Sequence, residues 1–502
     1  MYTPSGFGAS ELGDIEVVPD GDDLHLFHLT LPNHDVVQHA VSKDGLSWQP
    51  LPAALRTGDP GAVDDDQIWT MSVTPRPDGS GWIMLYTALS TAEQGRVQRV
   101  GLADSTDLTH WRKRPDLPAI SADPQWYEAD PATVGAVSWR DPKPLRTGDS
   151  YLATICAREA SGPLSRRGCA GLLVSRDLEH WEARPPLFTP RRYWDLECPQ
   201  VVRLATPAGT RWALVASVME DRSLRYWLAN DPLGPYRVPP GGDILAPAGH
   251  YAARATRWQE RDLLFAWHQP RLHQGWQSTP HTVDWVEARN PFGKFLAPPL
   301  EIAPREDGSL ALSSFAGWKT YEGSAWQPVP ADWRQRAVAT TRVAFAAPPA
   351  HDFQLRGELR LDAARGGLAL RVDDDSSGLY IELTPGSRTV SLQRWGIRLR
   401  DMGTSRGLTF DVLQQAELHE PFSAGEPVGM TLLSVGPYVE FSINDEVVLA
   451  TMTGRPRHGM CGVWVEDGDL HANHARWVAM QQPAPAPATS RQGIRRQEHG
   501  SA

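Results

Sequence analysis

Three carboxylates in this chain stand where strands begin: Asp14 in ELGDIEVV, Asp141 in SWRDPKPL and Glu197 in YWDLECPQVV. A carboxylate at the entrance to a core loses water, at a cost of several kcal/mol unless a partner or a reaction compensates. For a single such residue, a structural ion pair is the ordinary explanation. Three at related spacings point to chemistry instead. Asp14 and Asp141 are 127 residues apart, and Asp141 and Glu197 are 56 apart. One carboxylate as nucleophile or base, with one protonated carboxyl as acid, is the set that cleavage of a glycosidic bond requires. Crowding raises the pKa of the most desolvated member, so Glu197 is expected to keep its proton near neutrality.

The elements that bring these residues together are announced by a repeat. Ser42-Lys-Asp44-Gly-Leu-Ser-Trp48 returns as Ser105-Thr-Asp107-Leu-Thr-His-Trp111 and as Ser175-Arg-Asp177-Leu-Glu-His-Trp181. Degenerate copies follow around Asp231 and Asn290, and the five markers are spaced by 63, 70, 54 and 59 residues. Each copy follows a short apolar segment, which predicts a strand, then a tight turn held by Ser and Asp side chains, then an aromatic plug. Between the markers lie runs such as GWIMLYTAL and RWALVASVM, rich in β-branched and aromatic residues and without long helical periodicity. Five units of about four strands predict a five-bladed β-propeller over residues 1–300. Residues at the entrances of the innermost strands then meet around one channel. The Asp and Trp residues of the repeat itself read as structural.

After Pro304 the pattern changes. Residues 301–334 read as a linker, and 335–480 as evenly spaced short strands with Gly, Asp and Pro turns, a β-sandwich. PYVEFSINDEVVLA is expected to be a hairpin with Asn444-Asp445 at its tip. Residues 481–502 are low-complexity and expected to be disordered. The fold class is thus all-β: a propeller followed by a C-terminal sandwich.

Composition narrows the function. With 49 basic and 60 acidic residues the net charge is −11, which leaves no basic excess for nucleic acid or an anionic membrane. No apolar run is long enough to span a bilayer. No secretory signal is visible, and the four cysteines show no CxxC spacing, so a cytoplasmic location and no metal or cofactor are expected. Whether Cys156 pairs with Cys169 is open. The 20 Trp residues are mostly core, yet indoles beside polar groups also suit stacking on a sugar face.

The stretches W-R-D-P and E-C-P, one repeat apart and in that order, resemble two motifs of glycoside hydrolase family 32, the invertase and fructanase family of the furanosidase clan. HLFHL, QHAVSKDGLSW, IMLYTAL and GHYAARATRWQERDLLFAWHQ fall in the family's order as well. The resemblance implies a retaining exo-acting hydrolase of β-fructofuranosides. It makes Asp14 the nucleophile, Asp141 the residue that binds sugar hydroxyls and stabilises the transition state, and Glu197 the acid/base. It also implies sugar contacts for Arg140, Trp69, Ser72, Trp194, Tyr251 and His39. For His39 a satisfied strand histidine is the competing reading, for Arg140 a simple ion pair. Asp195 shares a strand face with Glu197 and either tunes it or meets solvent. Asp64-Asp65-Asp66 reads as a solvated acidic loop, because no calcium-loop spacing follows.

The first motif departs from the family pattern Trp-Met-Asn-Asp-Pro-Asn-Gly. Here it is Glu11-Leu-Gly13-Asp14-Ile-Glu-Val17, and Leu29 stands where a Gln is usual. Losing two hydrogen-bonding groups is expected to change which sugar fits. The alternatives are a hydrolase of another furanoside such as an arabinofuranoside, a fructosyl-transferring variant, or a carbohydrate-binding pseudoenzyme. The expected partner is an oligosaccharide or glycoside; the sequence leaves the oligomeric state open.

Overall fold

The computed structural model describes residues 2, 12–31, 33–206, 209–268, 295–329, 333–373, 377–399, 406–453 and 458–484. In it the repeated turns form as their side chains predict. Asp44 Oδ1 accepts the N–H groups of Leu46 and Ser47 at 2.8 and 2.7 Å. Asp107 Oδ1 accepts those of Thr109 and His110 at 2.9 and 2.8 Å, and Asp177 Oδ1 those of Glu179 and His180 at the same two distances. The Trp111 and Trp181 indoles fold back to donate to the Leu108 and Leu178 carbonyls at 2.7 and 2.9 Å. Gly45, Leu108 and Leu178, each following the Asp, share a left-handed φ of 72°, 61° and 68°. Asp231 keeps one such bond, to the N–H of Leu233 at 2.8 Å. The Asn290 marker lies outside the described residues, as does the tail from 485 onward.

These turns join the outer strands of radial sheets. The first sheet runs β1 (Leu12–Asp20), β2 (Asp23–Thr30), β3 (Val36–Ser42) and β4 (Gln49–Arg56), all antiparallel. The second has β5 (Gln67–Pro75), β6 (Trp82–Leu89), β7 (Arg99–Ser105) and β8 (Arg112–Lys113). The third has β9 (Trp139–Thr147), β10 (Ser150–Arg158), β11 (Gly168–Ser175) and β12 (Glu182–Phe188). The fourth holds β13 (Leu196–Thr206), β14 (Gly209–Val218) and β15 (Leu224–Ala229), its outer edge reduced to the isolated bridges Leu228–Arg237 and Arg225–Ile244 beyond β15. The fifth holds β16 (His250–Trp258), β17 (Arg261–His268), β18 (Phe295–Leu296), β19 (Leu300–Pro304) and β20 (Leu310–Ser314). The innermost strands pack in cyclic order, β1 on β5, β5 on β9, β9 on β13, β13 on β16 and β16 back on β1. That closes a five-bladed propeller.

Three expectations are corrected. The fourth blade is three-stranded rather than four-stranded. The boundary at residue 300 cuts through the last blade, because β19 pairs with β17 and β20 with β19, so the propeller runs to Ser314. The segment beyond Ser314 is no free linker: Tyr321 donates from its hydroxyl to Asp44 Oδ2 at 2.6 Å, which pins the connection to the first blade.

The C-terminal strands are β21 (Gln327–Pro328), β22 (Trp333–Ala346), β23 (Phe353–Val372), β24 (Gly378–Leu383), β25 (Thr389–Leu399), β26 (Arg406–Glu417), β27 (Pro427–Val435), β28 (Tyr438–Ile443), β29 (Glu446–Met452) and β30 (Met460–Ala479). They form a nearly closed sandwich. The two long strands β23 and β30 pair with each other and each continues into two neighbours, β24 and β27 for one, β21 and β22 for the other. Asn444 and Asp445, with φ of 48° and 65°, form the expected hairpin tip. The sandwich is packed on the propeller by one continuous apolar cluster in which Leu433, Tyr438 and Ala450 meet Phe265, Phe315 and Trp318. A two-pronged ion pair joins Arg305 to Glu446, at 2.6 and 2.7 Å. Among the described residues no helix is long and apolar enough to cross a membrane.

Asp177→Ala removes both turn bonds at once. The expected loss is about 1 kcal/mol of unfolding free energy, read as a lower urea midpoint with an unchanged m-value.

Candidate active site

Each innermost strand breaks register at the same level. The shift lies between Leu12 and Ile15 on β1, Trp69 and Met71 on β5, Arg140 and Lys143 on β9, Glu197 and Gln200 on β13, and Tyr251 and Arg254 on β16. Asp141, Cys198 and Ala252 occupy the bulges with left-handed φ of 61°, 49° and 46°. A bulge turns two consecutive side chains toward one side. Arg140 and Asp141 therefore both reach the channel mouth, which a regular strand would forbid.

The structure brings the three sequence-singled carboxylates together. A carboxylate oxygen of Asp14, one of Asp141 and the Cys198 sulfur lie within 4.8 Å of one another. Asp14 receives the Thr70 hydroxyl on Oδ2. Burial, then the nearby Asp141 and Glu197, push its carboxyl up to about 7, against the pull of Thr70 and Arg254. Asp141 is 1% exposed and accepts the Cys198 N–H on Oδ2 at 2.9 Å. Glu197, whose side chain is 18% exposed, accepts Arg140 Nη2 on Oε1 at 2.6 Å and the Tyr251 hydroxyl on Oε2. Burial raises the Glu197 carboxyl, Arg140 and Tyr251 pull it down, and Asp141 and Asp195 add to the rise. The net direction is up. The three acids thus differ by setting, with only Glu197 joined to both a cation and a phenol.

Arg140 and Tyr251 are therefore partners of the carboxylates. Trp194 sits at the rim, its indole under the Arg158 guanidinium at 3.9 Å. Half-buried Trp69 adjoins Thr70 and is tied to Gln67 Oε1 at 2.6 Å. Two expected sugar contacts fail. Ser72 is fully buried with an unpartnered hydroxyl, below the level of the carboxylates. His39 is 1% exposed, bonded through Nε2 to His25 Nδ1 at 2.8 Å and stacked on Phe27, and it is held neutral with a pKa lowered to about 3, mainly by burial.

Asp195 does not meet solvent. It clamps Arg140 at 2.9 Å and Arg158 at 2.8 Å. Nor is the acidic triplet fully solvated, since Asp64 is buried between Lys113 and the Tyr86 hydroxyl. Cys156 and Cys169 are free, buried thiols.

Thr70 and Arg254 escaped the sequence reading. They lie on the same inner strands as Trp69 and Tyr251, one and three residues on, offsets that the two-residue strand period would send to the other face had the bulges not intervened. Arg140 and Arg254 already bring positive charge to the acids, so the set calls for no added cation. Three carboxyl groups in distinct settings, Asp14 on the Thr70 hydroxyl, Asp141 on the Cys198 N–H and Glu197 on a guanidinium and a phenol, can together transfer a glycosyl group.

Asp195→Ala leaves two buried guanidinium groups without their shared partner. The expected loss is about 3 kcal/mol or more, measured by equilibrium unfolding in urea.

The family model described as glycosyl hydrolases family 32 N-terminal domain matches residues 18–282. The chain is similar to a fructan 6-exohydrolase of Triticum aestivum, 30% identical over 177 residues, covering 34% of this chain and 27% of that protein. It is 36% identical over 170 residues to an acid beta-fructofuranosidase of Phaseolus vulgaris, covering 32% of this chain and 24% of that one. The aligned stretches thus span about a quarter of these relatives' length. The crystal structure of fructan 1-exohydrolase IIa from Cichorium intybus shares the fold, with a TM-score of 0.72, 14% identity, and coverage of 97% of this chain and 99% of that one.

Proposed function

The chain belongs to family 32 of the glycosyl hydrolases, and from that footing we propose that it hydrolyses β-fructofuranosides with retention of configuration. The observation that carries the reading is the convergence of Asp14, Asp141 and Glu197 from three blades, with only Glu197 supported by both Arg140 and Tyr251. Asp14 attacks the anomeric carbon while the glycosidic C–O bond breaks and the Glu197 proton passes to the leaving oxygen. The sugar is then esterified to Asp14. Water adds to the same carbon, gives its proton to Glu197, and the Asp14 carboxylate departs. Asp141, fixed by the Cys198 N–H, holds ring hydroxyls and stabilises the oxocarbenium-like charge that develops in the transition state of each step. Relatives named as fructan hydrolases and β-fructofuranosidases support the sugar, and a solved relative in complex with 1-kestose supports an oligosaccharide substrate.

One feature favours a second reading, a furanoside with fewer hydroxyls near Asp14, such as an arabinofuranoside. Gly13 leaves the flank of Asp14 without a side chain, and Leu29 and Leu31 close in. A Cβ on Gly13 would come within 3.0 Å of Leu31 Cγ and 3.3 Å of Leu29 Cβ. An apolar wall cannot replace a hydrogen bond to a sugar hydroxyl. A panel of aryl furanosides decides: highest kcat/KM on the β-fructofuranoside supports the first reading, and on the arabinofuranoside the second.

The roles are separated by substitution. Glu197→Gln keeps the nucleophile and loses the proton donor, so an aryl β-fructofuranoside still forms the glycosyl-enzyme while sucrose cleavage falls by about three orders of magnitude. Azide, which needs no base, then restores turnover as a glycosyl azide. Asp14→Asn is inactive with or without azide. Near wild-type sucrose cleavage by Glu197→Gln would make Glu197 a structural residue and remove the reading, as would a first-formed product of inverted configuration by NMR.

A further inference from the structure

Two residues beyond each channel-mouth position the same strands send a second polar residue inward. Glu16 follows Asp14, Ser72 follows Thr70, Lys143 follows Asp141, Gln200 follows Cys198 and Arg254 follows Ala252. Glu16, Ser72, Gln200 and Arg254 are at most 1% exposed. Gln200 reaches across to the fifth blade, donating to the Ala253 carbonyl at 2.9 Å and accepting the Ala255 N–H at 3.0 Å. Glu16 Oε1 takes Lys143. Among the described residues Arg254 pairs only with Glu16, its Nε lying 3.4 Å from Oε2, and none of its three guanidinium nitrogens makes a hydrogen bond with them. The ring therefore holds one acid and two cations, a single positive charge in excess, directly behind Asp14 and Asp141.

A buried guanidinium with so little local compensation costs several kcal/mol on its own. Besides Glu16, the carboxylates that act on it are Asp141 and Asp14 in the layer above. We propose that Arg254 is a positioning residue for the reaction, its charge holding Asp14 in the ionised form that attacks the sugar. It lies on its strand two residues behind the channel-mouth position Ala252 and acts through Asp14.

Polar and titratable groups come from every strand packed around Asp14. Glu16 comes from its own strand, and His28, held neutral by burial, from β2. β5 brings the Thr70 hydroxyl, β9 Asp141, Arg140 and Lys143, and β13 Glu197 and Cys198. β16 brings Tyr251 and Arg254, and β17 brings His268, which is turned to the Ala450 carbonyl of the sandwich. Among these, Arg254 is the cation that opposes the upward push of burial, Asp141 and Glu197 on Asp14. Attack requires the carboxylate, so activity is lost as pH falls through the Asp14 pKa, and removing Arg254 raises that pKa.

The inference rests on Asp14 being the nucleophile, and the test separates the two. The pH profile of kcat/KM for an aryl β-fructofuranoside is measured on the full chain, with circular dichroism and Tm for each variant. Arg254→Met is expected to move the acid limb up by about one pH unit, lowering activity about tenfold below the limb and little above it. Arg254→Lys restores the limb. Glu16→Gln, which removes the negative charge competing for Arg254, moves it down. A lower Tm with an unmoved limb in Arg254→Met overturns the proposal and makes Arg254 structural only. If Arg254→Met does not fold, Glu16→Gln decides: a downward shift supports the proposal, and an unmoved or raised limb overturns it. An active Asp14→Asn would instead overturn the functional reading itself.

Discussion

Arg140 reaches three carboxylates from two blades: Asp141 at 3.6 Å, Asp195 at 2.9 Å and Glu197 at 2.6 Å. Three acids this close cannot all ionise in a protein interior without a cation among them. The guanidinium is suited to the place because its planar fork serves several oxygens from fixed directions and stays charged when buried. Its effect spreads outward. Asp195, held on one side by Arg140, holds Arg158 on the other, and Arg158 lies over Trp194 at the rim. A line of alternating charge thus runs from the acid Glu197 to the pocket edge. Its members are individually costly to bury and become tolerable only together.

Strand regularity had to be broken for this line to exist. Adjacent residues of a strand face opposite sides, yet Arg140 with Asp141, and Glu197 with Cys198, must serve one pocket. The bulges solve this on all five inner strands, and the left-handed backbone at Asp141 and Cys198 is the local strain that accompanies it. The same bulge that points Glu197 outward turns the Cys198 N–H onto Asp141. Below the bulges regular alternation resumes, which is why polar residues recur two positions on as a second, fully enclosed layer.

Much of this was legible in the residues themselves. The Ser-x-Asp turns announced the blade count, because a side chain that caps its own turn carries its partner within the motif. The three carboxylates were visible because an acid ahead of an apolar run is chemically out of place. Other features depend on geometry that no local pattern encodes. His39 and Ser72 looked accessible by position along their strands, but His39 stacks into the first blade on Phe27 and Ser72 lies a layer too deep. Asp64 reads as one of three surface acids until Lys113, from a distant strand, is placed against it. Thr70 and Arg254 carry no motif at all; only ring closure shows what they face. The fourth blade lacks a regular outer strand because the chain after Asp231 kept the turn but meets β15 only at the isolated bridges Leu228–Arg237 and Arg225–Ile244.

The propeller separates what must stay fixed from what can change. The acids, Arg140 and the inner ring are set by backbone hydrogen bonds within strands and by ion pairs between blades, so altering one disturbs several neighbours. The walls are different. Gly13, Leu29 and Leu31 pack together beside Asp14 through van der Waals contact, and Trp194 is anchored through its own backbone N–H and one stacked arginine. Substitutions there change volume and hydrogen-bonding capacity at the sugar without disturbing the charge network behind it. Gly13 packed against Leu29 and Leu31 beside Asp14 is what such a division permits: the wall can vary while the charged groups stay in register.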